Sequence, residues 1–380
     1  MGTSSDRTGM DRLFLELIHV ALSRRENLGH APSADEWADL YREAVRQTMA
    51  AVLFAGISRL PAEQRPPRTL LLQWFALTER TREMNRRMNS ETVRVCGELE
   101  RAGFGVVVLK GQGVAAGYPD PSLRQPGDID AWVVRDGGKD FPRGNFRAVT
   151  GHARRLDPQA SVQLLHTDFR LSALTEVEAH FWPSYFFSPL RQYRLRRWAT
   201  RRLPSLLAHR TRLPGTDGDV CTPTAEFNTV YLLLHIYRHL FHEGIGLRQL
   251  LDYHYCLSSP ELTSEGRETA RRTLHRLGLW RFARAVSYVL ATVFLTDADR
   301  LPAPPDAREG RFLLREIMQA GNFGHHDRRP GHRTGGNVAA RYLSHLRGNL
   351  RLTRHYPEEA ICAPFFRTWH YLWRKWNGFA

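Results

Sequence analysis

Long apolar runs are missing from this sequence. The 380-residue chain contains no continuous apolar segment of about 18 residues, the length that a membrane-spanning helix requires. Its first residues, MGTSSDRTGMDRLF, also lack the basic-then-apolar order of a signal peptide. A hydrophobic content of 42% still provides apolar material for two or three packed units. We therefore expect a globular, cytoplasmic protein with no membrane partner.

Cysteine is scarce, with four residues far apart in the sequence: Cys96, Cys221, Cys256 and Cys362. None of them belongs to a CxxC pair, so neither a disulfide framework nor a cysteine-based structural zinc site is indicated. Acidic residues are also outnumbered, with 39 Asp and Glu against 54 Lys and Arg and a formal net charge of +15. Such a charge favours anionic partners, for example nucleotides, nucleic acids or acidic surfaces.

Helical patterns fill both ends of the chain, and a strand pattern lies between them. The segments MDRLFLELIHVAL and SADEWADLYREAVRQTMAAVLFAGISRL place apolar residues at three- and four-residue intervals. In the second segment, Ser33 and Glu36 have capping-box spacing. A further helix is predicted from about Leu70 to Arg101, ending at Gly103.

The periodicity changes at Phe104. FGVVVLKG, DIDAWVV, VQLLHT and TEVEAHF are predicted strands, and helices return beyond residue 186. GNFGHHDRRPGHRTGGN is typical of a mobile loop. The predicted fold class is α+β, with a small mixed-sheet core at 103–185 between helical regions at 1–102 and 186–380.

Two acids, Asp128 and Asp130, stand at the start of the second predicted strand. Residues two apart in a strand point to the same face, so their carboxylates converge. Converging carboxylates repel one another unless a cation lies between them, and oxygen ligands suit Mg²⁺ that is also bound to substrate phosphates. The alternative is a turn in which Asp128 bonds its own backbone and Asp130 is solvated.

The preceding strand ends in Lys110-Gly111-Gln112-Gly113. Glycines at this position allow backbone N–H groups to approach a phosphate that a Cβ would obstruct. The alternative is an ordinary strand-to-helix turn. Together with the two acids, the turn predicts a phosphate cradle that faces a metal site.

A third acid is expected on the strand TEVEAHF, where Glu176, Glu178 and His180 share one face. We select Glu178, either as a metal ligand or as the general base for an acceptor hydroxyl. Glu176 remains the competing choice, because the register of the strand is not fixed by its sequence.

LKGQGVAAGYPDPSLRQPGDIDAWV resembles the signature of the uncharacterised nucleotidyltransferase family within the polymerase-β-like superfamily. VEAHFW is similar to the acid-and-histidine strand of that family, and HIYRHLFHEGIGLRQLLDYHYCL to its downstream helical signature. DEWADLYREAVRQTMAAVLFAGISRL resembles its N-terminal helices. The resemblance implies a small mixed sheet and the Mg²⁺-dependent transfer of a nucleoside monophosphate from an NTP to an acceptor.

The resemblance also implies roles for individual residues. Gly111 corresponds to the phosphate-turn glycine; Asp128, Asp130 and Glu178 correspond to the metal-binding and catalytic acids. Lys110 and Arg124 are available to neutralise the triphosphate. Gly111 is followed by Gln112, whereas Gly-Ser or Gly-Gly is frequent in the superfamily, although Gly113 comes next. This departure puts in question how the turn would bind a phosphate. The acceptor is a small molecule, a peptide or a protein.

Three histidines, His235, His239 and His242, recur on one face of a predicted helix and are followed by Arg248 and Asp252. Their spacing is compatible with a metal site, but their apolar context favours packing against the sheet. We expect one or two of them to reach the nucleotide or a carboxylate, with His180, His239 and Arg248 as nucleotide contacts. A structural ion pair between Arg248 and Asp252 is the alternative.

Two other functions remain open at this stage. The net charge favours an RNA-binding or RNA-modifying protein, although no signature of a common RNA-recognition module is present. The departure at Gln112 favours a partner-binding protein that keeps the fold without catalysis. The C-terminal RTWHYLWRKWNGFA is typical of a helix that docks on the C-terminal bundle, and its basic-aromatic composition is also compatible with nucleic-acid binding.

Overall fold

The structure is a computed structural model that describes residues 4–173, 175–242, 244–320 and 349–379. The loop predicted at 321–337 lies outside the described residues. Four helices precede the first strand: α1 Ser4–Ala21, α2 Ala34–Arg46, α3 Ala50–Ile57 and α4 Arg68–Arg101.

The predicted helix ends are confirmed at two places, and one predicted helix is divided. Ser33 and Glu36 form the capping box, with the Ser33 N–H donating to Glu36 at 2.8 Å. The long helix α4 ends at Arg101, two residues before Gly103. The pattern predicted to continue from α2 into α3 breaks at Thr48, whose φ of 53° lies in the left-handed region and ends the helix.

The central sheet has seven strands in the order β3-β4-β5-β2-β1-β7-β6. Their bounds are β1 Phe104–Val108, β2 Ile129–Arg135, β3 Ser161–Val162, β4 His166–Phe169, β5 Val177–His180, β6 Arg210–Arg212 and β7 Asp219–Cys221. β2 pairs in parallel with β5, β1 pairs in parallel with β7, and the other pairs are antiparallel. The sheet is therefore mixed, and the predicted α+β fold class is confirmed.

Sequence periodicity missed part of this sheet. The segment VQLLHT, predicted as one strand, is interrupted between β3 and β4. β6 and β7 lie in the region predicted to be helical, and each contains only three residues, too few for a period-two pattern. The division of the chain at residues 102 and 185 stays a prediction.

Further α-helices follow the first strand in the described part of the chain. They are α5 Gln112–Ala115, α6 Asn145–Leu156, α7 Pro189–Ala208, α8 Ala225–His242, α9 Leu247–Leu257, α10 Ser264–Arg276, α11 Trp280–Val293, α12 Ala307–Ala320 and α13 Pro357–Trp376. No helix in the described part of the chain is long and apolar enough to cross a membrane.

Alternate residues of β2 belong to two separate cores. Ala131 and Val133 pack with α6 on one face, whereas Trp132 and Val134 pack with the helical layer that contains α8 and α9. Asp130 has the same parity as Trp132, so its side chain points to the face that α8 covers. This alternation places Asp130 beneath α8 instead of in open solvent.

The C-terminal helix α13 docks on the sheet side only in part. Phe366 stacks on Tyr185 with ring centroids 5.3 Å apart, and Arg367 donates to the Phe241 carbonyl at 2.8 Å. Its opposite face leaves large apolar side chains exposed: Ile361, Phe365, Trp369, Leu372 and Trp376. The predicted docking role therefore describes one face of this helix and not the other.

Candidate active site

A cavity of about 520 Å³ lies between the sheet and the helices α8 and α9. This volume is within the range of small-molecule sites, about 300–1,000 Å³. Its polar and charged lining residues come from both layers: Lys110, Arg124, Asp128, Asp130, His166, Glu178, His180, Tyr231, His235, Arg238, His239, Arg248, Gln249 and Asp252. Gly111 and Gly127 complete the wall on the sheet side.

Three carboxylates meet at this cavity. Asp128, Asp130 and Glu178 each present an oxygen within 4.8 Å of the other two. The parallel pairing of β2 and β5 sets Asp130 directly beside Glu178. Glu176 is exposed at the head of β5 and is not part of the cluster, so the register favours Glu178 as the third acid.

The burial of the three acids differs. Asp130 is 3% exposed, the Glu178 side chain is 24% exposed, and Asp128 is exposed. An oxygen-only donor set that opens to a cavity on one side suits Mg²⁺, which keeps waters or phosphates in its remaining positions. These residues therefore fit the metal ion that the sequence pattern predicts.

Two cationic groups lie against the inner acids. Lys110 Nζ is 2.8 Å from Asp130 Oδ1, and His180 Nε2 is 3.1 Å from both Asp130 and Glu178. Burial alone would raise the pKa of Asp130, but Lys110 and His180 hold that pKa well below its usual range. Burial would lower the pKa of His180, and its two carboxylate partners raise it instead.

The pKa of Glu178 shifts in the direction opposite to that of Asp130. Burial and the negative charge of Asp130 raise the pKa of the Glu178 carboxyl above its ordinary value. For Lys110, the attraction of Asp130, Glu178 and Asp128 outweighs burial and raises the pKa of the ammonium group. Two neighbouring carboxyl groups with pKa values displaced in opposite directions are typical of acid-base sites.

Of the residues Gly111, Gln112 and Gly113 in the glycine turn, only Gly111 lines the cavity. Gly111 lines it and adopts φ 61°, a conformation that favours glycine. The side chain of Gln112 is 4% exposed and donates to Asn85 and Asn89 of α4. Gly113 packs against Thr222 on another side of the turn. The structure therefore does not bring Gln112 or Gly113 to the site, and the departure at Gln112 does not alter the cavity wall.

Arg124 lines the cavity but is bound to a carboxylate. Its guanidinium donates to Asp252 at 2.7 and 2.9 Å, and the Tyr118 hydroxyl donates to the same carboxylate at 2.6 Å. Burial would lower the pKa of Arg124, and Asp252 raises it. The alternative ion pair between Arg248 and Asp252 is wrong, because Arg124 occupies this carboxylate.

Arg248 has a different environment. Its guanidinium donates to the Gln125 carbonyl at 2.9 Å, and its Nε has no hydrogen-bond partner among the described residues. Burial and the neighbouring Arg124 lower the pKa of Arg248. Its charge is therefore poorly compensated and faces a cavity, which favours binding of an anion there.

The helix α8 contributes histidines in two directions. His235 and His239 line the cavity with their Nε2 atoms 3.0 Å apart, whereas the Nε2 of His242 is 2.8 Å from the Tyr185 hydroxyl. Burial and the nearby Lys110 push the pKa of His235 well below its usual value. Among the described residues, no cluster with metal-ligand geometry contains the three histidines.

Several lining residues were not predicted from the sequence. Arg238 and Tyr231 face the cavity from α8, and His166 faces it from β4. Arg238 is three residues after His235 and one before His239, so helical periodicity places it near the same face. His166 carried no usable signal, because its position depends on the register between β4 and β5.

Comparison with known families confirms the resemblance over part of the chain. The sequence model of a family described as uncharacterised nucleotidyltransferase matches residues 33–143. This segment includes Gly111, Asp128 and Asp130 and ends before Glu178 and His180. The match supports a transferase of nucleotidyl groups. Comparisons with curated proteins and with solved structures gave no match.

Proposed function

We propose that this chain transfers a nucleoside monophosphate from an NTP to an acceptor hydroxyl or phosphate group, with Mg²⁺ bound by Asp128, Asp130 and Glu178. The observation that carries the proposal is the convergence of these three carboxylates at one wall of a cation-lined cavity. When bound, Mg²⁺ supplies charge neutralisation for the phosphates that pass through the transition state.

The cations of the cavity divide into two groups. Lys110 and Arg124 are paired with Asp130 and Asp252, so they balance the buried acids. Arg248 and Arg238 have no carboxylate partner among the described residues. We assign the binding of the triphosphate oxygens to these two guanidiniums, because Arg forms charge-assisted hydrogen bonds with phosphate. His239 lies next to Arg238 and contributes a further polar contact.

Arg238 also lies between two cavities, and we assign the nucleotide to one and the acceptor to the other. Its guanidinium lies 4.3 Å from the centroid of the Tyr185 ring, on the wall of a neighbouring cavity of about 390 Å³. This second cavity shares Glu178, His166, Arg238 and His239 with the first. An acceptor in the second cavity meets the nucleotide at Glu178.

We assign the role of general base for the acceptor hydroxyl to Glu178, because its side chain lines both cavities. The acceptor oxygen forms a bond to the α-phosphorus, the bond to the bridging oxygen breaks, and pyrophosphate leaves. The proton of an acceptor hydroxyl passes to Glu178. Lys110 keeps Asp130 ionised throughout, since its ammonium group contacts that carboxylate directly.

Two labelled nucleotides test the reaction type. The protein is incubated with Mg²⁺, an extract of the cells that make it, and NTP labelled at either the α- or the γ-phosphate. We expect the α-label to enter a small-molecule, peptide, protein or RNA fraction while the γ-label leaves in pyrophosphate. Incorporation of the γ-label would show phosphoryl transfer and contradict the proposal.

Matched variants connect that reaction to the site. Asp128→Asn removes the exposed carboxylate of the cluster, and Asp140→Asn removes an exposed carboxylate elsewhere on the surface. We expect transfer to be lost in the first variant and retained in the second. Equal transfer by both variants would exclude Asp128 from the metal site.

A further inference from the structure

A second group of metal-ligand side chains lies beside the three acids. His166, Glu178 and His180 each offer one ligand atom within 4.8 Å of the other two. The antiparallel register of β4 and β5 pairs His166 with His180, which brings their rings to a centroid distance of 4.9 Å. Glu178 belongs to both groups, so the two histidines extend the acidic cluster toward the second cavity.

His166 lies between a carboxylate and the acidic cluster. Its Nε2 lies 3.0 Å from Asp168 Oδ1, within ion-pair distance, although the two atoms do not form a hydrogen bond of normal geometry. Its Nδ1 is buried, has no hydrogen-bond partner among the described residues, and lies 3.8 Å from Glu178 Oε2. In metal sites the ligating histidine usually donates its other ring N–H to a carboxylate, which fixes the tautomer and leaves the first nitrogen free to bind.

The spacing of the ligand atoms is also compatible with one ion. Zinc-ligand bonds of about 2.0–2.1 Å in tetrahedral geometry separate neighbouring ligand atoms by roughly 3.3 Å. The Glu178 carboxylate lies 3.1 Å from His180 Nε2 and 3.8 Å from His166 Nδ1. The ligand atoms of His166 and His180 lie within 4.8 Å of each other, and metal binding displaces the proton that His180 Nε2 holds toward the carboxylates of Asp130 and Glu178.

We propose that His166, Glu178 and His180 bind a divalent first-row transition metal, in a site that is separate from the Mg²⁺ position at Asp128 and Asp130 and is joined to it through Glu178. The donor chemistry distinguishes the two positions. Imidazole nitrogen suits zinc and iron, whereas Mg²⁺ takes oxygen ligands. Asp168 acts as the positioning residue for His166.

The proposed metal site borders the second cavity. Three protein ligands leave a coordination position open, as in catalytic zinc sites. His166, Asp168 and Glu178 all line the second cavity, whose other wall includes Tyr185 and Phe366. The open position therefore faces a space that suits an oxygen or nitrogen donor group of a small molecule or a peptide side chain.

Cobalt binding tests this inference without any nucleotide. Tag-free protein is stripped with a chelator and titrated with Co²⁺ in excess Mg²⁺, and the visible d–d absorption is recorded. His166→Ala removes a ligand and Asp168→Asn removes its positioning partner. His152→Ala removes a histidine that contacts Phe104 and lines neither cavity, and it serves as the matched control.

We expect the wild type and His152→Ala to bind one Co²⁺ that Zn²⁺ displaces. Asp168→Asn should weaken binding about 10- to 100-fold, and His166→Ala should weaken it further. Thermal unfolding of each variant separates loss of the site from loss of the fold, and Asp168→Asn keeps the side-chain shape if His166→Ala does not fold. Absence of displaceable Co²⁺ absorption, or equal affinity in His166→Ala and the wild type, would overturn the inference. Co²⁺ binding as predicted without NTP binding would contradict only the proposed reaction.

Discussion

The buried pair of Arg124 and Asp252 joins the loop before β2 to helix α9, and removal of its carboxylate has a predictable cost. Arg124 is 4% exposed and Asp252 is 5% exposed. In Asp252→Ala, the guanidinium loses two hydrogen bonds and the Tyr118 hydroxyl loses one. Breaking a buried ion pair from one side typically costs about 3–5 kcal/mol, because the remaining charge is left unpaired.

The cost is measured as the free energy of unfolding in urea, followed by tryptophan fluorescence. A loss of about 3–5 kcal/mol moves the unfolding equilibrium by roughly 100- to 5,000-fold. The matched control is Glu98→Ala, which removes a pair with Arg101 whose side chains are 35% and 72% exposed. Such a surface pair contributes about 0–1 kcal/mol.

A double variant separates the charge from the packing. Arg124→Met combined with Asp252→Leu replaces the pair with apolar side chains, which often restores stability at such positions. We expect the double variant to be more stable than Asp252→Ala. A loss below about 1 kcal/mol in Asp252→Ala would contradict a buried, unsolvated ion pair, since it would mean that Arg124 is hydrated.

Arg248, Glu359 and Gly111 can each be tested with a single substitution. Arg248→Met should raise the Kd for Mg²⁺-NTP about 10- to 100-fold, because a charged hydrogen bond to the nucleotide is lost, and it should change stability little. The control Arg155→Met removes an exposed arginine and should leave the Kd unchanged. Calorimetry measures both values. Burial raises the pKa of Glu359 to about 7, so the folded state holds a proton that the unfolded state releases. The stabilisation from this protonated carboxyl should therefore be lost as pH rises from about 5 to 8, and urea unfolding should show the wild type losing on the order of 3 kcal/mol relative to Glu359→Gln over that range. Gly111→Ala should strain the backbone at φ 61° by about 1–3 kcal/mol and weaken NTP binding, while Gly97→Ala, with no atom near its added Cβ, should raise the melting temperature.

Local sequence patterns were sufficient to predict several helix ends and the strand β2. The capping box at Ser33, the end of α4 and the apolar run of β2 each depend on residues within a few positions. The same holds for Asp128 and Asp130, because strand periodicity alone places them on one face. The structure has these elements where the sequence predicts them, and the family match covers the same segment.

Contacts between distant segments were not predictable in this way. Asp252 pairs with Arg124, which lies 128 residues away, although Arg248 is one helical turn from Asp252 in the sequence. Gln112 faces α4 because Asn85 and Asn89 receive its amide, and no local pattern indicates this partner. The choice between Glu176 and Glu178 also needed the register of β5 against β2.

The most direct test of the Mg²⁺ site is calorimetric titration of the four NTPs, with and without Mg²⁺, into the wild type, Asp128→Asn and Asp140→Asn. We expect at least one NTP to bind the wild type only when Mg²⁺ is present. Asp128→Asn should lose this Mg²⁺-dependent binding, and Asp140→Asn should keep it. Circular dichroism of the variants verifies that each is folded. NTP binding that is indifferent to Mg²⁺ and to Asp128, or no NTP binding at all, would contradict the assignment of the three carboxylates to a nucleotide-associated metal site.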